Sequence, residues 1–211
     1  MSRIFEKLKS QFVKLSRQNM SSDLSRKYNL ENRKRLRGIL EEIPKLNPPV
    51  SWEFQQYSIG GLTEIGFSYN KPHLLLVISS NGRGLFDCSQ LEKIDRDYND
   101  EHEIDYQKMR CFGIGLLKEE NISIAGLHGG GLPLTNLNHD YLITMALDWP
   151  YYDIIFAPKG KSPYSERDRS QCFRIYCTDT LKSYGFSSCG NYFAIGTSSD
   201  LFIYKRKLES A

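Results

Sequence analysis

Gly66-Phe67-Ser68-Tyr69-Asn70-Lys71-Pro72-His73-Leu74-Leu75-Leu76-Val77-Ile78-Ser79-Ser80-Asn81 has a counterpart later in the chain, Gly185-Phe186-Ser187-Ser188-Cys189-Gly190-Asn191-Tyr192-Phe193-Ala194-Ile195-Gly196-Thr197-Ser198-Ser199-Asp200. Gly-Phe-Ser opens both copies, Ser-Ser-Asn/Asp closes both at the same spacing, and each restarts on Leu-Phe, at Leu85-Phe86 and Leu201-Phe202. The run Leu74 to Ile78 is short, continuous and apolar, with Asn70 and Pro72 before it and Ser79 to Gly84 after it. Length and punctuation make it a buried strand, because a helix needs ten or more residues free of Pro and Gly. Asn81-Gly82 supplies the positive φ of a type I′ turn, so the strand is expected to turn back as a hairpin there. The repeat therefore decides the fold class: mainly β, an antiparallel meander of propeller-like or sandwich-like build, behind an N-terminal helical segment.

Outward from the repeat, strands are expected at 52–58, 62–67, 74–79, 84–88, 111–117, 121–126, 141–146, 152–157, 172–177, 183–187, 191–197 and 201–206, with a helical turn in 99–110 as the one exception. The order Gly-Phe-Ser, turn, apolar strand, Ser-Ser-Asp, strand resembles the inner strands of WD-type β-propeller blades over residues 62–88 and 181–206. The usual Gly-His pair is absent, and Phe86-Asp87 and Ile203-Tyr204 stand where Trp-Asp closes a blade. A blade takes about 40–45 residues, so the β part is too short for a seven-bladed ring. Asn81 to Asp87 and Ala125-Gly126-Leu127-His128-Gly129-Gly130-Gly131-Leu132-Pro133 are similar to stretches of small bacterial cytosolic proteins, a resemblance that implies no activity.

Charge divides the chain. Residues 1–46 hold twelve Lys/Arg against five Asp/Glu, and the remainder sixteen against twenty, about +7 and −4 within a net charge of +3. Two domains are expected: a basic arm of two helices at 1–46 and a β-meander at 50–211, parted by Pro44, Pro48 and Pro49. In the arm, Ile4, Phe5, Leu8, Phe12 and Leu15 form one stripe to about Gln18, residues 19–24 break it, and a second helix runs from about Glu31 to Ile43 on Leu36, Ile39, Leu40 and Ile43. Arg33, Lys34, Arg35 and Arg37 would then crowd the start of that helix and Glu41 and Glu42 its end, the reverse of what the helix dipole favours. Such a reversal makes the four cations candidate binding residues for a nucleic acid or an anionic membrane. No apolar run is long enough to span a bilayer or to serve as a secretion signal, and the five cysteines are scattered without a C-x-x-C. A reducing, cytoplasmic setting is expected.

No catalytic constellation is complete. His128-Gly129-Gly130-Gly131 looks like an oxyanion loop, yet no Gly-x-Ser-x-Gly nucleophile elbow accompanies it. The structural alternative is a glycine turn, and a backbone nest for a small anion is a further reading. Asp95-x-Asp97-x-Asn99 begins like a calcium loop but has Asp100 at the turn glycine and Tyr106 at the last ligand, so 92–105 reads as a solvated acidic loop. The four histidines lack metal spacing, and neither metal nor cofactor is expected. Arg83 sits at a hairpin tip, and Asp148-Trp149-Pro150-Tyr151-Tyr152 is a dense aromatic turn, equally a partner hot spot or a lid on the core. Pro158 to Arg169 reads as a mobile loop. The sequence thus points to a non-catalytic binding domain, with another protein as partner and with Arg83, His128, Gly129, Gly130, Asp148, Trp149, Tyr151 and the arm cations as contact residues. The rival reading is an enzyme whose site assembles around His128 and Asp148, with Asp87 and Arg83 in support.

Overall fold

The computed structural model describes residues 24–98 and 104–207. The first expected helix and most of the expected break lie outside them. The chain forms two units, dividing between Glu42 and Ile43.

Among the described residues the N-terminal unit contributes one helix, α1 (24–42), which already includes Leu24, seven residues before Glu31. Nothing in Leu24 to Leu30 forbids helix, and α1 stops where Pro44 denies Ile43 the helical region. The longer helix removes the expected conflict with the dipole at its start, while Glu41 and Glu42 still occupy its last turn. Arg33, Lys34, Arg35 and Arg37 lie well beyond the first turn, where the dipole has faded. All four are exposed. No helix among the described residues is long and apolar enough to cross a membrane.

Among its described residues the second unit holds fifteen strands: β1 (Trp52–Ser58), β2 (Leu62–Phe67), β3 (Leu74–Ser79), β4 (Gly82–Asp87), β5 (Glu92–Asp97), β6 (Ile104–Asp105), β7 (Arg110–Phe112), β8 (Asn121–Ser123), β9 (Ala125–Gly126), β10 (Tyr141–Met145), β11 (Tyr152–Ala157), β12 (Phe173–Thr178), β13 (Leu181–Phe186), β14 (Tyr192–Thr197) and β15 (Asp200–Arg206). They build four antiparallel sheets, ordered β10-β11-β12, β1-β15-β14-β13, β5-β4-β3-β2-β9 and β6-β7-β8. No closed barrel or propeller forms among the described residues. Strand β1 pairs along its whole length with β15, so the first and last strands of the unit share one sheet.

The sheets stack in that order, with three apolar cores between them. Trp52, Ile154, Phe156, Phe193 and Tyr204 fill the first. Ile65, Leu75, Val77, Ala194 and Ile203 fill the second. Leu74, Leu76, Ile78, Leu85 and Ile122 fill the third. The two inner sheets are therefore buried on both faces. That is why β3 and β15 read as continuous apolar runs rather than alternating ones: successive side chains point to opposite faces, and both faces are dry.

The repeat is real in three dimensions, with one adjustment. Copy one is β2-β3-β4 and copy two is β13-β14-β15. Both first hairpins break register at the same place, between Leu62 and Glu64 and between Leu181 and Ser183. The two Gly-Phe pairs match across to Leu76-Leu75 and Ala194-Phe193. Leu85-Phe86 correspond to Ile203-Tyr204, not to Leu201-Phe202: the pairing matches Gly82 with Asp200, and Leu85 stands three residues after Gly82 whereas Leu201 stands one after Asp200. The loop between β3 and β4 is Ser80-Asn81, flanked by the pair Ser79 and Gly82. Gly82, at φ 99°, follows it rather than forming its centre. A side chain at Gly82 would strike the Asp97 carbonyl, its Cβ 2.2 Å from that oxygen. The glycine serves the approach of β5, and the type I′ turn is not made.

Four further expectations change. Within the expected acidic loop 92–105, Glu92 to Asp97 form β5, an edge strand whose charges discourage further pairing, and Ile104–Asp105 form β6, while 99–103 lie outside the described residues. The expected strand 111–117 ends at Phe112, and Gly115–Leu117 is a single 3₁₀ turn. Pro158 to Arg169 ends in a short helix, α2 (Glu166–Arg169), pinned by Lys161 on Asp168 and by Arg169 donating to the Pro163 carbonyl. Residues 44–46, expected to close the helical arm, belong to the β unit: Arg174 donates to the Pro44 carbonyl at 2.9 Å and accepts from Leu46 at 3.2 Å.

Candidate functional site

The third core contains a buried polar cluster that apolar packing does not explain. Strand β2 is apolar except for Thr63 and Glu64. Without the register break, Glu64 would share a face with Leu62. The bulge rotates it onto the opposite face, toward β6-β7-β8, while Ile65 and Phe67 stay in the second core. Cross-strand pairing then sets Glu64, Ile78, Arg83 and Asp97 in one row across four strands. Glu64 is fully buried at 0 % exposure.

Its partner is His128. Gly126 and Gly129 bridge to each other, which leaves Leu127 and His128 as the tip of a tight hairpin after β9. Leu127 donates to the Thr63 carbonyl, laying that tip over β2. His128 Nδ1 meets Glu64 Oε1 at 2.6 Å, and the His128 side chain remains 47 % exposed. Glu64 Oε2 is buried with no hydrogen-bond partner. The Tyr106 ring lies against the imidazole, centroids 4.5 Å apart. Burial, then the charge of Glu64, pushes the Tyr106 phenol up, so it is a neutral donor at ordinary pH. Cys111 is buried next to the same row; burial pushes its thiol up, and the Arg83 guanidinium partly opposes that.

The glycines around His128 are packing residues first. A Cβ at Gly126 would come within 2.0 Å of the Thr63 carbonyl oxygen, and one at Gly130 within 2.3 Å of that of Ile124. Gly129 donates its amide to Gly126, so it does not serve an anion nest. Gly129 and Gly131 have open space where a side chain would be.

Arg83 is not a free hairpin tip. It meets the chain's own Asp97 at 2.6 Å and donates to the Phe112 carbonyl at 2.8 Å. Asp87 caps its own turn, accepting from the amide and hydroxyl of Ser89. Asp148 closes the turn between β10 and β11, where Tyr151 donates to its carbonyl. That turn belongs to the first sheet of the stack and His128 covers the outer face of the third, so a site joining His128 to Asp148 does not form. Trp149 is 76 % exposed and Tyr151 52 %, whereas Trp52 is 1 % exposed. The aromatic turn is not a lid on the core.

Glu64 and Tyr106 were not legible as site residues. Glu64 carried a faint signal: an acidic residue inside Leu62-Thr63-Glu64-Ile65-Gly66-Phe67, where the second copy has Ser183. Among the described residues no group of three or more His, Cys, Asp and Glu could hold a metal ion. Compared with protein families, with curated proteins and with solved structures, this chain matches none.

Proposed function

We propose that this chain is a partner-binding β protein whose contact point is the turn Asp148 to Tyr151, with another protein as the partner. The observation that carries the reading is Trp149, left 76 % exposed at a hairpin tip. A tryptophan buries roughly 150–250 Å² when it packs, worth about 4–6 kcal/mol at ~25 cal/mol per Å². Placing one where folding gains little of that sum suits a residue that is desolvated on association, and Trp and Tyr are the residue types that dominate association energies. Tyr151, two residues on and 52 % exposed, adds to the aromatic surface.

Photo-crosslinking in cells tests this directly. A photoreactive phenylalanine replacing Trp149 is expected to give a discrete protein adduct, while the same group replacing Lys118, whose side chain is 74 % exposed, gives none. Equal labelling from both positions, or none from 149, overturns the proposal. The exposed cations of α1 favour a second contact with an acidic partner, which would weaken as salt rises.

A further inference from the structure

The structure assigns to Glu64 and His128 a role beyond partner binding: we infer that they form a general-base dyad, with His128 Nε2 as the base and small aryl esters as the substrate class. Three observations converge. First, burying a carboxylate with one oxygen unsatisfied costs free energy that the fold does not recover locally. Second, the fold does not need it. The matching position in the second copy is Ser183, on a strand with the same register break and the same Gly-Phe-Ser exit. Third, the imidazole is held by Nδ1 and presents its other edge outward. An Nδ1–H donating to Glu64 Oε1 fixes the tautomer, and Nε2 is left with its lone pair on the solvent side. His128 is half-exposed, Gly129 and Gly131 leave open space beside it, and the Tyr106 ring provides a flat wall for an aromatic group.

In the step this geometry allows, Nε2 takes a proton from a water molecule as the water oxygen bonds to the acyl carbon. The bond from that carbon to the aryl oxygen breaks, and the departing phenolate receives the proton back from the imidazolium. Water and ester become acid and phenol, and the dyad is restored. Glu64 is a positioning residue: it touches only the imidazole.

The test is hydrolysis of p-nitrophenyl acetate by the full chain across pH, against free imidazole at equal concentration. The wild type is expected to exceed imidazole, His128→Ala to lose that excess, and Glu64→Gln to lose about tenfold or more of it, as for other groups that orient a histidine. The loss in Glu64→Gln is also expected in kcat with KM little changed, and Glu64→Asp is expected to recover part of it, a pattern that a purely structural carboxylate would not produce. A rate no greater than that of imidazole, or one that survives His128→Ala, overturns the inference. Should Glu64→Gln fail to fold, ¹⁵N spectra of the wild-type imidazoles still decide: His128 protonated on Nδ1 agrees with the dyad, and His128 protonated on Nε2 refutes it. Because none of these readouts involves Trp149, failure here leaves the partner-binding reading standing, and the reverse also holds.

Discussion

The two copies of the Gly-Phe-Ser repeat use one hairpin plan for two different interfaces. On their front faces they agree: Phe67, Leu75 and Phe86 of copy one match Phe186, Phe193 and Tyr204 of copy two, each trio buried in a core. On their back faces they diverge. Copy two presents Ser183, Ala194, Gly196 and Ile203 to copy one, and a Cβ on Gly196 would already lie 3.1 Å from Leu62. Small residues are what the close approach of the two sheets allows. Copy one turns its own back on the thin sheet β6-β7-β8, and there the same positions hold Glu64, Leu76, Ile78 and Leu85. One plan thus yields a dry, tight interface inside the stack and, at its edge, an interface with room for a carboxylate, an imidazole and a guanidinium. The polar cluster belongs to the edge of the stack, where packing is least demanding.

Breaking the front faces should have the largest effect. Phe193 contacts Trp52 at 4.7 Å and Tyr204 at 4.1 Å between ring centroids. Phe193→Ala is expected to cost about 4 kcal/mol in denaturant unfolding, and Leu75→Ala, its counterpart, about 3 kcal/mol. Similar costs would confirm that the two fronts carry the fold equally.

Next come the shared glycines. A Cβ on Gly66 would meet the Ser123 carbonyl oxygen at 2.4 Å, and one on Gly185 the Leu132 Cβ at 2.3 Å. Gly66→Ala and Gly185→Ala should each cost about 2 kcal/mol, because chain passes directly over both. A neutral Gly66→Ala would mean that the outer sheet yields where the inner packing cannot.

The back faces sharpen the contrast. His128→Ala leaves Glu64 buried without its partner and should cost about 1–3 kcal/mol near neutral pH, and less in a Glu64→Gln background. Ser183→Ala, at the matching position, is expected within about 0.5–1 kcal/mol of wild type. Equal costs at the two positions would erase the distinction between them.

The smallest effect concerns Phe86 and Tyr204, matching rings that differ by one hydroxyl. Burial pushes the Tyr204 phenol above the usual tyrosine range. The unfolded chain therefore loses that proton first. Stability from this group is complete below about pH 10 and falls as pH rises from there toward the folded value. Tyr204→Phe should change little at neutral pH and should flatten this alkaline loss, measured as thermal midpoints at successive pH values.

Much of this architecture is written locally. The apolar run Leu74 to Ile78, the turn formers around it and the second Gly-Phe-Ser fixed a mainly antiparallel β unit and most strand positions, because burial period and chain punctuation act over a few residues. Pro44 ended the helix for the same reason. The failures share a cause. Glu92 to Asp97 looked like a solvated loop because a charged edge strand has no apolar face to announce it, and only pairing with β4 makes it a strand. The Arg33 to Arg37 cluster is misplaced only in a helix that begins at Glu31, and α1 already includes residue 24. Glu64 and His128 lie 64 positions apart. No spacing rule connects them; a one-residue bulge in β2 turns the carboxylate over, and a glycine hairpin brings the imidazole to it. Sequence alone determined the strands that carry an apolar period, since that period acts over a few residues. The tertiary structure decided which face each strand offers to which neighbour, and so where a charge is buried, because a face is assigned only when the sheets have stacked.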